Sequence, residues 1–261
     1  MNITDFTSTD WIIRSVSGYI IVLLVQVIIL FFLSNFLMKR TARCTIGWSM
    51  YLFYAFVFVG TVIHEASHAI AVVLSGGKLR EVHLFKPDRQ NGTLGYVRYN
   101  ANNVSSVFIG FAPLVGNTLA LMFFARYFLG VGAFDVDFNS LSNSGYVVSD
   151  ISRIFTNGLF MLSGLDYSKT GTWLFLYLAL STGMGAAPSP QDVKTALPGI
   201  AILGIFWGLV MYVDSANIVT GAVMPIFVAF FSAASNLLMF GIIVTAIMCL
   251  IMVVVCRFVG K

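Results

Sequence analysis

Six runs of this chain, residues 19–38, 44–77, 99–125, 170–191, 195–213 and 215–256, contain no lysine, arginine or aspartate, and a single glutamate, Glu65, falls among them. A helix rises about 1.5 Å per residue, so each run is long enough, or nearly so, to cross a hydrocarbon core of about 30 Å. The sequence is 58% apolar and 10% charged, whereas soluble domains carry about one quarter charged residues. The expected fold class is therefore an all-α polytopic membrane protein with about six transmembrane helices. The last run is roughly twice the length needed, which predicts a break near Ser232–Asn236, with Pro225 bending the piece before it. That piece is then interfacial or a seventh span.

The polar residues ahead of the first run, and the length of that run, predict a retained anchor rather than a cleaved signal peptide. The net charge of +4 is spread over loops, which fits contact with a bilayer and gives no reason to expect nucleic acid. Cys44, Cys249 and Cys256 have no metal-ligand spacing, and neither a disulfide nor a thiol site is expected of them.

The chain reads as one integral membrane domain, with a core over about 47–195, a β-hairpin at 77–99, an interfacial cap at 131–169 and C-terminal helices at 196–257. The hairpin is predicted from two β-rich runs, 79–85 and 93–99, flanking a turn cluster that holds Pro87, Asp88, Asn91 and Gly92. An amphipathic stretch over 148–165 is expected to lie on the membrane surface. The hairpin carries five lysines and arginines, so positive-inside bias puts it and the C-terminus in the cytoplasm. Lys39, Arg40 and Arg43 pull the other way.

Within the second run stands VIHEASHAI, residues 62–70. Residues four apart share one helix face, so His64 and His68 can ligate one metal ion while Glu65, offset by one position, reaches a water at that ion. Two imidazoles, one carboxylate and an open position make a catalytic zinc site, in which zinc acidifies a water and polarises a carbonyl. Glu65 is then the general base. An ionised carboxylate at the centre of a span costs about 2.5–3.5 kcal/mol, and a bound zinc returns on the order of 10 kcal/mol. The competing structural reading is a pair of histidines that only hydrogen-bond neighbouring backbone.

No third histidine follows at metzincin spacing, and the remaining one, His83, lies on the hairpin. The other glutamate, Glu81, lies there too. Among the aspartates, topology favours Asp192, because the second and fourth runs cross in the same direction and end on one face. Asp135, Asp137, Asp150, Asp166 and Asp214 then belong to the opposite face, and Asp88 sits in the hairpin turn. Pro188 and Pro190 interrupt helix, so irregular backbone can carry Asp192 back toward the site. Its competing role is capping a helix that starts before VKTAL.

With HEASH in a span, a Gly-Gly hairpin after it and a distant membrane aspartate, the chain resembles the site-2 protease family of intramembrane zinc metalloproteases. The resemblance covers about 51–193. It implies one zinc ion held by His64, His68 and Asp192, with Glu65 as catalytic base. It implies that 77–99 corresponds to the family's membrane-associated strands and that FAPLVGN, residues 111–117, corresponds to its Gly-Pro-x-x-Asn helix. The chain departs from the family's second signature, because Met184 stands where an Asn is usual, and Gln191 and Val193 flank the aspartate in place of Leu and Gly.

The function expected on these grounds is hydrolysis of peptide bonds within or near transmembrane segments of membrane-protein substrates. An unwound substrate needs partners for its N–H and C=O groups, which lipid does not supply. A hairpin edge supplies them by strand addition. Leu79, Val82, Leu84, Thr93 and Tyr96 are the substrate-binding candidates there, and Asn117 is a candidate oxyanion donor. The small residues Gly60, Thr61, Ala71 and Ser75 suit close approach of a neighbouring backbone, and 183–185 is a candidate hinge. The alternative function class is a zinc-binding membrane scaffold that holds transmembrane helices without cutting them.

Overall fold

A computed structural model of the chain describes residues 9–43, 49–88, 93–130, 147–186, 189, 191, 192, 194 and 224–258. It contains helices α1 (Thr9–Arg43), α2 (Ser49–Leu74), α3 (Asn103–Leu129), α4 (Val147–Ser163), α5 (Thr170–Ala186) and α6 (Met224–Phe258), with strands β1 (Lys78–His83) and β2 (Tyr96–Asn100) between α2 and α3. Among the described residues, four helices have stretches long and apolar enough to cross a membrane: Ile21–Arg40, Met50–Leu74, Ser105–Leu129 and Phe230–Arg257. The chain is an integral membrane protein of mostly helical fold. The fifth apolar run, 195–213, lies outside the described residues, as does the first part of the expected cap.

Helix directions follow from polar contacts that step along paired helices. Tyr177 on α5 donates to the Ala55 carbonyl on α2 at 2.7 Å, and the Gly60 amide donates to Ser181 Oγ at 2.8 Å, so α2 and α5 run parallel. Ser105 Oγ donates to the Ser75 carbonyl at 3.1 Å, while Gly116 packs on Ser67, so α3 returns antiparallel to α2. Gln26 Nε2 donates to the Ser235 carbonyl at 2.9 Å, Cys249 Sγ to the Leu33 carbonyl at 3.7 Å and Arg40 Nη2 to the Val253 carbonyl at 3.5 Å. Both numbers climb together, so α1 and α6 are parallel.

This last relation brings the ends of α1 and α6 together. The end of α6 emerges with the end of α1, on the face opposite the one where α2 ends and the hairpin begins, and the closing end of the hairpin reaches back toward it, with Phe85 and Leu94 packed beside Leu37, Cys249 and Met252. The basic residues that end α1 and α6 gather at that face. Lys and Arg counts over short loops were nearly balanced between the two faces, and helix packing decides.

The expected break at Ser232–Asn236 is absent, because α6 runs unbroken through it. Asn236 turns its Nδ2 back to the Ser232 carbonyl at 2.9 Å and gives its Oδ1 to Asn157 at 3.0 Å, so its polar atoms do not disrupt the helix. Pro225 is the second residue of α6, where its missing N–H has no helical partner to lose. At about 1.5 Å per residue such a helix exceeds the hydrocarbon thickness, and tilt or protrusion absorbs the difference. Helix α4 is the amphipathic element anticipated over 148–165, but its Ile154 is fully buried, and Gly158 packs on Met239, Phe240 and Ile243. Its apolar face therefore docks on α6 rather than only on lipid. Cys256 is disulfide-bonded, against expectation, while Cys249 is a buried free thiol.

The hairpin forms at its predicted place. α2 ends where Gly76 adopts a left-handed φ of 74°, and the Gly77 amide closes the cap on the Val72 carbonyl at 2.8 Å. β1 and β2 then pair antiparallel, from Lys78 opposite Asn100 to His83 opposite Tyr96, with Arg80 bulged out. Beyond them Asp88 bridges Thr93. Phe85 packs edge-on to Phe58, ring centroids 5.0 Å apart, and to Tyr54. About eight extended residues and about seventeen helical ones cover a similar 25 Å, so the hairpin folds back alongside α2 and passes its His-Glu motif.

Candidate metal centre

Helix α2 places His64 and His68 one turn apart, both buried. Each ring is oriented by a backbone carbonyl. His64 Nδ1 lies 2.7 Å from the Gly185 carbonyl of α5, and His68 Nδ1 lies 2.8 Å from the Ile109 carbonyl of α3. A carbonyl oxygen only accepts, so both Nδ1 atoms carry hydrogen, and in the neutral rings both Nε2 atoms present lone pairs. Those two atoms are 3.2 Å apart. Two lone pairs do not hydrogen-bond each other, and a cation between them resolves the contact.

Asp192 completes the group. Its Oδ2 is 3.4 Å from His64 Nε2 and its Oδ1 is 3.1 Å from His68 Nε2. The three residues offer ligand atoms that all lie within 4.8 Å of one another. Around a zinc ion with bonds of about 2.0–2.1 Å, tetrahedral ligand atoms stand about 3.3 Å apart. The 3.2 Å between the two Nε2 atoms matches that edge, and Asp192 brings one oxygen within 3.4 Å of the first nitrogen and its other oxygen within 3.1 Å of the second, so the residues present fit a divalent cation of zinc's size, with a fourth position left over.

A capping box holds the aspartate. Ser189 Oγ accepts the Asp192 amide at 3.2 Å, and Asp192 Oδ2 accepts the Ser189 amide at 2.7 Å. One carboxylate thus both caps the helix and faces the two imidazole nitrogens. The Ser-x-x-Asp spacing with Pro after the Ser was the cue in the sequence that the direct reading of Asp192 passed over.

Two more contacts build the walls. Gly60 and Gly185 let α2 and α5 meet backbone to backbone, since a Cβ on either would strike the other helix, Ser181 and Gly60 being the respective obstacles. The Gly185 carbonyl that orients His64 also accepts Asn117 Nδ2 at 3.1 Å, and the same amide reaches the Pro113 carbonyl at 3.0 Å. The donor of Asn117 is therefore engaged in the α3–α5 contact, in the service of His64, and its Oδ1 is buried without a partner. Residues 183–185 lie in the last turn of α5, where Gly183 packs against Gly241 and Gly185 against Gly60.

Glu65 is buried beside the pair. The hairpin covers it: a Cβ on Gly95 would come within 2.8 Å of Glu65 Cγ, and within 2.9 Å of the His83 and Leu84 carbonyls. This glycine at the closing end of the hairpin is a close-approach position beside Glu65 that the sequence reading missed, and the signal was a lone Gly inside a β-rich run. Leu79, Val82 and Leu84 are each 39% exposed, Thr93 is exposed, and Tyr96 donates its hydroxyl to Glu81 at 2.7 Å. Glu81 and His83 stay on the hairpin, away from the metal-facing group. Glu81 receives Tyr96, His83 and Arg98, which hold its carboxyl below the usual carboxylate range.

No curated protein and no solved structure matches the chain. Asp192 lies outside the residues that the family comparison matches, so its place in the group rests on geometry alone. Residues 40–130, which contain α2 with its His-Glu motif, the hairpin and α3, match the family model described as Peptidase M50B-like, and at family level this part of the chain is similar to the site-2 type of membrane metalloprotease.

Proposed function

We propose that the protein is an intramembrane zinc endopeptidase that cuts membrane-protein substrates within or near their transmembrane segments. The observation that carries this reading is the convergence of His64 Nε2, His68 Nε2 and the Asp192 carboxylate at tetrahedral-edge spacing, with Glu65 buried beside them. Zinc held there supplies a Lewis acid that polarises the scissile carbonyl and acidifies a water.

The chain's own residues do the rest. The Gly185 and Ile109 carbonyls fix the imidazole tautomers, and the Ser189 cap fixes the carboxylate. Glu65 takes a proton from the attacking water and hands it to the leaving amine. Its burial under Gly95 keeps bulk water from competing. A substrate helix hides its peptide groups in its own hydrogen bonds, so cutting requires unwinding, and an edge of the hairpin offers the extended strand new partners. The side chains of Leu79, Val82 and Leu84 on one strand, or of Thr93 and Tyr96 on the other, then meet the substrate.

We place the protein in the cell membrane with the hairpin face toward the cytoplasm. One feature favours this: the disulfide-bonded Cys256 lies near the end of α6, on the face opposite the start of the hairpin, and disulfides persist in oxidising compartments.

The test is cleavage of a reporter that carries a transmembrane helix by purified wild type and Glu65→Gln in detergent or liposomes. The proposal expects cleavage by wild type alone, with equal zinc in both. Equal cleavage by both proteins would remove the catalytic assignment. A zinc scaffold that does not cut would keep its partner binding in Glu65→Gln and show no cleavage in wild type.

A further inference from the structure

A cavity of about 300 Å³ opens between the ends of α1 and α6, lined by Phe36, Lys39, Arg40 and Val253. We infer that this cavity binds the phosphate group of an anionic phospholipid. Arg40 carries five guanidinium donors. One of them reaches the Val253 carbonyl at 3.5 Å, the limit of a hydrogen bond, and its Nε is buried with no partner. Among the described residues no carboxylate pairs with Lys39 or Arg40. An unpaired guanidinium nitrogen buried at this depth is costly unless an acceptor is present, and an anion with several oxygens is the acceptor that a planar fork selects.

Position decides the source of that anion. Arg40 ends the first apolar span and Arg257 ends the last, so the cavity stands at the level of the lipid headgroups. Arg257 follows Val253 by one helical turn and shares its face of α6, beyond the lining residues. Phe36, 48% exposed, and Val253 extend the wall toward the hydrocarbon, as an acyl chain descending from a bound headgroup requires. The volume is at the small end of ligand pockets, enough for a headgroup phosphate and too little for a whole lipid. Basic pockets between transmembrane helices take lipid phosphates by this chemistry. The site is separate from the His64, His68 and Asp192 group and does not depend on its activity.

The experiment is native mass spectrometry of the full chain released from micelles containing equal phosphatidylglycerol and phosphatidylcholine, with inorganic phosphate titrated in a parallel arm. Wild type is expected to keep phosphatidylglycerol at least about tenfold over phosphatidylcholine, with millimolar phosphate unable to displace it. The variant Lys39→Gln/Arg40→Gln is expected to lose that preference, and Lys39→Glu, a change at an exposed position, to reduce it severalfold with zinc content unchanged. Equal retention of the two lipids by wild type, or an unaltered preference in Lys39→Glu, would overturn the proposal. Displacement by inorganic phosphate would overturn the lipid source.

Discussion

Two imidazole nitrogens 3.2 Å apart with both opposite ring nitrogens on carbonyls define the chemistry at the residue scale, because neither ring has a proton left to offer the other. A histidine pair read only from spacing is ambiguous, since backbone hydrogen bonding is the bland role for each. Here backbone hydrogen bonding and ligand presentation are complementary, the first setting up the second. Asp192 repeats the pattern, for its cap and its metal-facing oxygens share one carboxylate. Removing the Ser189 hydroxyl costs about 1 kcal/mol of N-cap, so Ser189→Ala is expected to weaken zinc binding about fivefold, as read by competition with a chelator, and to leave one zinc per chain at saturation. Gly95→Ala puts a methyl group against Glu65 and two carbonyls. Displacement of a catalytic group by about 1 Å costs on the order of a hundredfold, so reporter cleavage is expected to fall by about that factor while zinc content is retained.

At the scale of elements, apolar length and turn chemistry were legible and packing was not. The hairpin was readable because β-rich runs, a turn cluster and the Gly-Gly cap of α2 all act locally. The uninterrupted course of α6 was not, because Ser232, Ser235 and Asn236 look like a breaker until α1, α4 and α5 are beside them: Asn236 finds Asn157 and its own helix, and the Ser235 carbonyl finds Gln26. The hairpin also carries its own pH dependence. Glu81 has a depressed folded pKa, from the Tyr96 hydroxyl first and then His83 and Arg98. A depressed carboxylate stabilises above its unfolded pKa of about 4 and loses that contribution as pH falls through the folded value. Amide hydrogen exchange in 78–83 and 96–100 is therefore expected to lose protection below about pH 4, and Glu81→Gln is expected to remove that pH step. An unchanged step in the variant would detach it from Glu81.

For the whole molecule, the centre is assembled from three helices and a capped turn that are distant in sequence. Helix α2 brings the histidines, α3 and α5 bring the carbonyls that orient them, and the turn after α5 brings Asp192. Family similarity covers 40–130 and stops short of Asp192, so the proposal of Asp192 as third ligand rests on topology and on its contacts with the two histidines. The direction shared by α2 and α5 was legible from counting spans, and it put Asp192 on the correct face. The direction of α6 was not, since charge bias is weak where both faces carry lysine and arginine and only interhelical contacts settle the packing. The claim on which the account turns is that Asp192 joins His64 and His68 around one zinc ion. The direct measurement is zinc per chain, by elemental mass spectrometry, in wild type, His64→Ala, Asp192→Ala and Glu65→Gln purified alike. One zinc in wild type and Glu65→Gln with little in the two ligand variants is the predicted result, and full zinc in Asp192→Ala would contradict it.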